Sequence, residues 1–328
     1  MTSMRFPGAG VLLAAGLVSL SVSSPAAAQD YPSKNITFVV PYAAGGSADQ
    51  RSRQLAQKMG PLLGKPIIID NKPGAGGNIG TEVIARAVPD GHTIGMGNFA
   101  PLSVNQTLFK KLNFDPQKDV LPVVLIERGP LTLMVNAKSP YKTVKDIVQA
   151  AKAKPGVMTA ANGGIGGSHH LSAELFKQAA GIDVISVAYK GGAPAATDLM
   201  AGTVDFMFEQ MYAAMPSLQG GKARAIAVTG KTRVPTLPDV PTFAEAGYPD
   251  VQVLNWQGII VPKGTPPAII ARLNEVMNKV LADPDMREKI TSQGNEVGGG
   301  TPKEFADLIA SESVKWGKVV RAAKIQPE

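Results

Sequence analysis

The chain contains no cysteine. Disulfide scaffolds, zinc ribbons, iron–sulfur clusters and thiol nucleophiles are therefore excluded, and a lipoprotein anchor with them. Histidine occurs 3 times in 328 residues, too seldom for a histidine-rich metal site. Aromatic residues make up 5% and there is no lysine/arginine block, so nucleic acid is not an expected partner. A hydrophobic content of 44% with 18% charged residues excludes wholesale disorder. Glycine is the residue in excess: 35 positions, about 11% against a usual roughly 7%.

The amino-terminal segment stands apart. Arg5 is its one charge, ahead of an apolar run from Gly8 to Val22, and Ser23, Ser24, Pro25 and Ala26–Ala28 follow. These are the three regions of a secretory signal peptide, spanning residues 1–28 and cut near Ala28. The run falls short of the roughly 20 residues that cross a bilayer, so cleavage is expected rather than anchoring. The exported chain then starts near Gln29 and is mildly basic, its net charge falling from +7 to about +6, which favours anionic ligands.

The remainder alternates strand and helix signals. Strands are predicted at 36–40, 67–69 and 92–97, with helices over 48–63 and 78–88 between and after the first two. A similar block follows: strands at 131–135, 157–161, 184–189, 204–208 and 223–228, and helices at 143–152, 168–179 and 193–201. A strand at 256–261 and helices at 267–281 and 302–322 end the chain, the last opening on a Thr301/Glu304 capping box. This is an α/β pattern of parallel sheets with helices on both faces. Two such blocks predict two lobes with a ligand cleft between them: residues 30–129 plus 255–328 as lobe 1, and 130–254 as lobe 2.

Three strand-to-helix turns are rich in glycine: Pro41–Asp49, Asn71–Asn78 and Asn162–His170. Glycine lets a ligand approach the backbone, and N–H groups at a helix start favour a carboxylate or phosphate. Ser47 or Asp49, Asn78 and Ser168 are the capping side chains expected at these helix starts. None of the turns reads as a nucleotide P-loop, and Gly95-x-Gly97-x-x-Ala100 comes too late in the chain for a dinucleotide fingerprint. Catalytic motifs are lacking: there is no G-x-S-x-G elbow and no H-E-x-x-H pair. His169 and His170 point about 100° apart on a helix and cannot chelate one metal well. Glu209 ends a strand, where it could meet a ligand amine or serve as a solvated hinge residue. Trp256 and Tyr42 could wall a pocket or simply pack. No cofactor, metal site or catalytic residue is assigned.

The sequence resembles the Bug-type receptors of tripartite tricarboxylate transporters over essentially the whole exported chain. The resemblance rests on Pro41-Tyr42-x-x-Gly45-Gly46-x-x-Asp49, Asn71-x-x-Gly74-Ala75-Gly76-Gly77-x-x-Gly80 and Pro89-Asp90-Gly91-x-Thr93. It continues through His170-Leu171-x-x-Glu174-Leu175-Phe176, Tyr189-Lys190-Gly191, Asp198-Leu199-Met200-x-Gly202-x-x-Asp205, Pro241-Thr242-x-x-Glu245-Ala246-Gly247 and Pro262-x-Gly264-Thr265-Pro266. It implies a two-lobe periplasmic binding protein of the second type, closing by a hinge. It also implies a carboxylate held by Tyr42, Ala43, Ala44, Gly45, Gly46 and Asp49 together with Gly74, Ala75, Gly76, Gly77 and Asn78. The second lobe would contribute Gly163, Gly166, Gly167, Ser168, His169, Tyr189 and Asp205. Asn98 and Phe99 depart from the family pattern of small hydroxyl residues, and a Phe there could narrow the pocket or stack on an aromatic ligand. Glu209 stands at an acidic or amide position of the family.

The function expected is capture of a small carboxylate in the periplasm by a monomer and its delivery to an inner-membrane transporter. A ligand-presenting accessory protein for a membrane sensor kinase is the alternative. An exported hydrolase or isomerase would have only His169, His170 and Glu209 to work with.

Overall fold

The computed structural model describes residues 1–4, 31–189, 191–322 and 325. The expected export segment around Arg5, Gly8–Val22 and Ala28 lies outside the described residues, as does Lys190.

The first strand, β1 (Ile36–Val40), is a β-branched and aromatic run buried at nearly every position. It leads through a glycine loop into α1 (Ser47–Leu63), which Gly64 ends in the left-handed region. Then follow β2 (Ile67–Asn71), α2 (Asn78–Ala85), β3 (Thr93–Asn98) and a single turn, α3 (Asn105–Leu108). β1 pairs in parallel with β2 on one side and β3 on the other; the parallel pairing is as expected, and the sequence pattern leaves the strand order open. The next elements are β4 (Val120–Asn136), α4 (Val144–Ala153), β5 (Thr159–Asn162), α5 (Ser168–Ala180), β6 (Ile185–Ala188) and α6 (Gly192–Ala201). β7 (Phe206–Gln210), α7 (Met211–Gln219) and β8 (Ala223–Val228) complete this stretch. The chain ends with β9 (Leu254–Pro262), α8 (Pro267–Ala282), α9 (Pro284–Thr291), β10 (Glu296–Gly299) and α10 (Pro302–Ala322).

The strand order is β2-β1-β3-β9-β4-β7-β5-β6, with β8 and β10 also on β4. β4 organises it. Its first half runs antiparallel to β9, from Val120 opposite Pro262 to Pro130 opposite Leu254, and to β10. Its second half pairs antiparallel with β7, from Leu131 opposite Gln210, and with β8. The changeover falls at Gly129, Pro130 and Leu131. The sequence pattern exposes only the second half, as a separate strand at 131–135. Pro122, Glu127, Arg128, Gly129 and Pro130 hide the first half, and the sheet accommodates it with register shifts between Pro122 and Val124 and between Leu125 and Glu127. The polar helix α9 and the glycine-rich strand β10 also escape the pattern. The Thr301/Glu304 box forms as expected: Thr301 N–H donates to Glu304 Oε2 at 2.7 Å, and Glu304 N–H to Thr301 Oγ1 at 3.2 Å.

Two aromatic groups fill the core. Phe176 of α5 meets Phe206, Phe208, Phe243 and Tyr248 edge-on. Trp256 of β9 packs on Phe99 and Phe305, and Trp316 of α10 packs on Phe99 at 5.1 Å.

A buried ion pair ties α1 to β4. Arg51 reaches Glu127 through two hydrogen bonds of 2.9 Å, with both side chains 4% exposed. The remaining polar atoms are satisfied too. Arg51 also donates to Gln54 and Gln293, and Glu127 also accepts from Asn295 at 3.0 Å and from Gln257 of β9. Removing one partner strands the other charge in a dry site. Glu127→Ala should therefore lower unfolding stability by about 3–5 kcal/mol, read as a shift of the urea midpoint.

Candidate functional site

The glycine turns stand at the carboxyl ends of parallel strands, as the pattern predicts, but the helices they open are not capped as expected. α1, α2 and α5 have Gly46, Gly77 and Gly167 at the N-cap, which have no side chain to cap the first-turn N–H groups. The N-cap position in each therefore falls to glycine rather than to Ser47, Asp49, Asn78 or Ser168. α6 likewise begins on Gly191 without a cap. By contrast α4 and α9 are capped by Thr143 and Asp283. Four helix starts thus present first-turn N–H groups that have no acceptor within the helix.

In the first turn Ala43, Ala44, Gly45 and Gly46 are exposed. The buried Asp49 secures the turn from below. Its Oδ2 accepts from Gly45 N–H at 2.9 Å and from Arg53 Nε at 3.0 Å. Burial opposes ionisation of Asp49, but the bonds from Arg53, Gly45 and Asn71 outweigh it and lower its pKa. Gly45 N–H and the Asp49 carboxylate are therefore already engaged with each other, and the uncapped start of α1 is the donor surface left for an anion.

The second turn is left-handed over four successive residues: Gly74 (φ 131°), Ala75 (φ 47°), Gly76 (φ 61°) and Gly77 (φ 93°). Glycine adopts this freely, whereas Ala75 is held against its preference, a form of strain that persists where neighbours impose it. Asn71 Nδ2 donates to Tyr42 O at 3.0 Å and joins the first two turns. Tyr42 is half-buried against Gly77, and burial raises its pKa.

Asn105, at the start of α3, is a candidate site residue that sequence reading missed. It is 1% exposed, and its Nδ2 donates to Asn78 Oδ1 at 2.6 Å and to Gly76 O at 3.3 Å. Because a carbonyl can only accept, the amide nitrogen must face Gly76. The amide oxygen then faces the third turn, 3.4 Å from where a Cβ on Gly166 would lie. That Cβ would also strike Leu108. No periodicity or motif marks Asn105, because its partners come from turns distant in sequence.

In the third turn Gly166 N–H donates to His170 Nδ1 at 3.2 Å. Nδ1 is therefore unprotonated, and Nε2 carries the proton toward Glu174, 3.6 Å away. His170 is thus a buried support for the turn. Glu174 also accepts from Lys177 at 2.8 Å and Ser186 at 2.7 Å. His169 Nε2 lies 2.8 Å from Glu209 Oε1, and Glu209 is 3% exposed. Glu209 is accordingly no solvated hinge residue. Burial disfavours charge on His169, but the facing Glu209 carboxylate outweighs it and raises the His169 pKa.

The remaining expected residues separate. Tyr189 is half-buried near the third turn and donates to Asp198 at 2.7 Å. Asn98 is half-buried at the end of β3. Phe99 is fully buried between Trp256 and Trp316, so in this conformation it has no face open to an aromatic ligand. Trp256 is likewise core, 1% exposed. Asp205 precedes β7 and accepts from Thr159 N–H and Oγ1 at 2.8 and 2.9 Å. That is the amino end of the strand, about 13 Å along the chain from Glu209, at about 3.3 Å per residue. Asp205 is a strand clasp, set apart from the turns.

Glu174 carries a pH consequence. Burial would raise its pKa, but bonds from His170, Lys177 and Ser186 prevail and bring it down to about 2. A depressed carboxylate stabilises the fold above its unfolded value of about 4.5, and that contribution, about 3 kcal/mol, is lost as pH falls toward 2. Glu174→Gln should flatten the loss of stability between pH 4.5 and 2, measured by urea unfolding at successive pH values.

Residues 52–325 match the family model described as tripartite tricarboxylate transporter family receptor. Three solved structures are similar over nearly the whole chain. One is the periplasmic binding protein BugD, 34% identical with a TM-score of 0.83, covering 91% of this chain and 100% of its own. Another is Rpa4515 of R. palustris with adipate, 33% identical with a TM-score of 0.86, covering 91% and 100%. The third is MatC from Rhodopseudomonas palustris with bound malate, 34% identical with a TM-score of 0.82, covering 88% and 100%. The fold is therefore the mixed α/β fold of periplasmic binding proteins, and the site is one of binding rather than turnover. The chain belongs to the tripartite tricarboxylate transporter family of receptors.

Proposed function

We propose that this receptor captures a small carboxylate in a cleft between two lobes and delivers it to an inner-membrane transporter. The lobes are residues 30–129 with 255–328, and 130–254. β4 crosses from one to the other, and the changeover at Gly129–Leu131 supplies the hinge. One observation carries the reading: α1, α2, α5 and α6 all begin on glycine without a capping side chain. An anion in the cleft would serve as their common cap. The similar proteins Rpa4515 and MatC, whose structures hold adipate and malate, support a carboxylate as that anion. Asn105, between the second and third turns, would sense closure of one lobe upon the other.

Isothermal titration against a carboxylate panel tests the reading, and absence of heat and of thermal shift from every acid would overturn it. A substitution at the first turn is more specific. Gly45 and Gly76 have positive φ, so side chains there would add backbone strain to any effect on binding. Gly46 has φ −74° and ψ 173°, an ordinary extended conformation on an exposed turn. Gly46→Val should lower unfolding stability by no more than about 1–2 kcal/mol, the cost of losing a glycine N-cap, while weakening carboxylate binding at least tenfold. Export makes its own prediction: the protein recovered from the periplasm should have the mass of a chain that begins near Gln29.

A further inference from the structure

The strands from the end of β4 through β8 have one row of ends at the third glycine turn and another row opposite it. The registers define the opposite row. Asn136 closes β4 beside Ala223 of β8, Val135 and Ala160 both face Phe206 at the start of β7, and Thr159 faces Ile185 at the start of β6. The connections at this row carry Lys138, Lys142, Lys145, Lys152, Lys154 and Lys222, all exposed. Ala137 N–H donates to Lys222 O at 3.1 Å, and the Arg224 guanidinium is turned inward to the carbonyls of Ala137, Ser139 and Tyr141. These bonds seat the loop with Lys138 and Lys142 beside Lys222. α4 then buries Val144, Ile147, Val148 and Ala151, which leaves Lys145 and Lys152, two turns apart, on its outer face. None of the six lysines has an ion-pair partner among the described residues. Elsewhere Lys58, Lys279 and Lys303 each meet a carboxylate at 2.7 Å. Three carboxylates share the basic row: Asp146, Asp183 and Asp205. Asp146 accepts from Lys142 N–H and Thr143 N–H, and Asp205 from Thr159, so both are engaged within the fold. Two apolar side chains stand in the same place. Val157 is 63% exposed and Ile185 48%. They are neighbours, because Ile185 N–H donates to Met158 O at 2.9 Å and Gly156 N–H to Asp183 O at 3.1 Å.

We propose that this end of the molecule binds an anionic lipid surface, the lysines facing headgroups and Val157 and Ile185 entering the boundary between headgroups and acyl chains. Each lysine near such a surface adds attraction, and the attraction fades within a Debye length. Apolar side chains bordered by lysine are the composition that interfacial binding uses. The residue type also separates a lipid surface from a folded acidic partner. Lysine is a point charge on a flexible stem and follows mobile headgroups, whereas the planar fork of arginine fixes a partner's geometry. The one arginine at this end is committed to backbone carbonyls. The proposal does not depend on the carboxylate-receptor reading. The basic row lies across the strands from the third glycine turn, so attachment here leaves that turn uncovered.

The test is co-sedimentation of the exported chain with vesicles of phosphatidylglycerol and phosphatidylethanolamine, and with vesicles of phosphatidylcholine alone. The wild type should bind the anionic vesicles at least about tenfold more strongly, and should lose most of that binding in about 0.5 M salt. Lys145→Gln, Lys152→Gln and Lys154→Gln together should weaken binding at least about fivefold. The same change of charge at Lys110, Lys263 and Lys318, exposed lysines elsewhere, should leave it within about twofold. Val157→Gln should weaken it about threefold. All these side chains are exposed, so the urea midpoint of each variant should match that of the wild type. Equal binding to both kinds of vesicle, binding to neither, or equal losses from the two lysine triples would overturn the proposal. Binding that ignores Val157→Gln and is matched by soluble polyglutamate would assign this end to an acidic macromolecule and overturn the lipid partner.

Discussion

One strand must satisfy two sets of neighbours. β4 is 17 residues long, and its two halves hydrogen-bond to different partners on either side of Gly129 and Pro130. Everything that carries a glycine turn is placed relative to it. β9 joins it to β3 and so to β1 and β2, while β7 joins it to β5 and β6. The Arg51–Glu127 pair fixes this strand to α1, whose first turn is part of the proposed site. The pair is bidentate and surrounded by amide side chains, conditions under which a buried ion pair can offset its desolvation penalty and hold one geometry.

The site follows from where charge and hydrogen bonds are left incomplete. Most of the chain is closed upon itself: Asp49 holds its own turn, His170 and Glu174 hold another, and Asp205 clasps Thr159. Against that background the glycine starts of α1, α2, α5 and α6 stand out. Glycine has two tasks in producing them. In the second turn it permits the left-handed path, and at Gly163, Gly166 and Gly192 it permits close approach of His169, Leu108 and Glu209. Substitution in the second turn violates backbone sterics, at Gly163 and Gly192 only packing, and at Gly166 (φ 77°) both.

The α/β alternation, the parallel pairing of the first three strands, the three glycine turns and the family were all legible in the sequence. Period-2 and period-3.6 patterns are local, and glycine at the end of a strand carries its meaning within a few residues. The first half of β4 was not legible, because two prolines and a glycine contradict strand propensity and only pairing with β9 overrides it. Nor was the capping pattern: Ser47, Asn78 and Ser168 are plausible caps by residue type, yet the helices start one residue earlier, on glycine.

Sequence alone determined that this chain would be an α/β protein with backbone-rich turns suited to an anion, because those properties depend on near neighbours in the chain. Tertiary structure decided which side chains face the turns. It enclosed Phe99 between two tryptophans, sent Asp205 to the opposite end of its strand and brought Asn105 between the second and third turns. It also set Glu209 against His169. Those outcomes depend on contacts between segments dozens to hundreds of residues apart, and no local pattern encodes them.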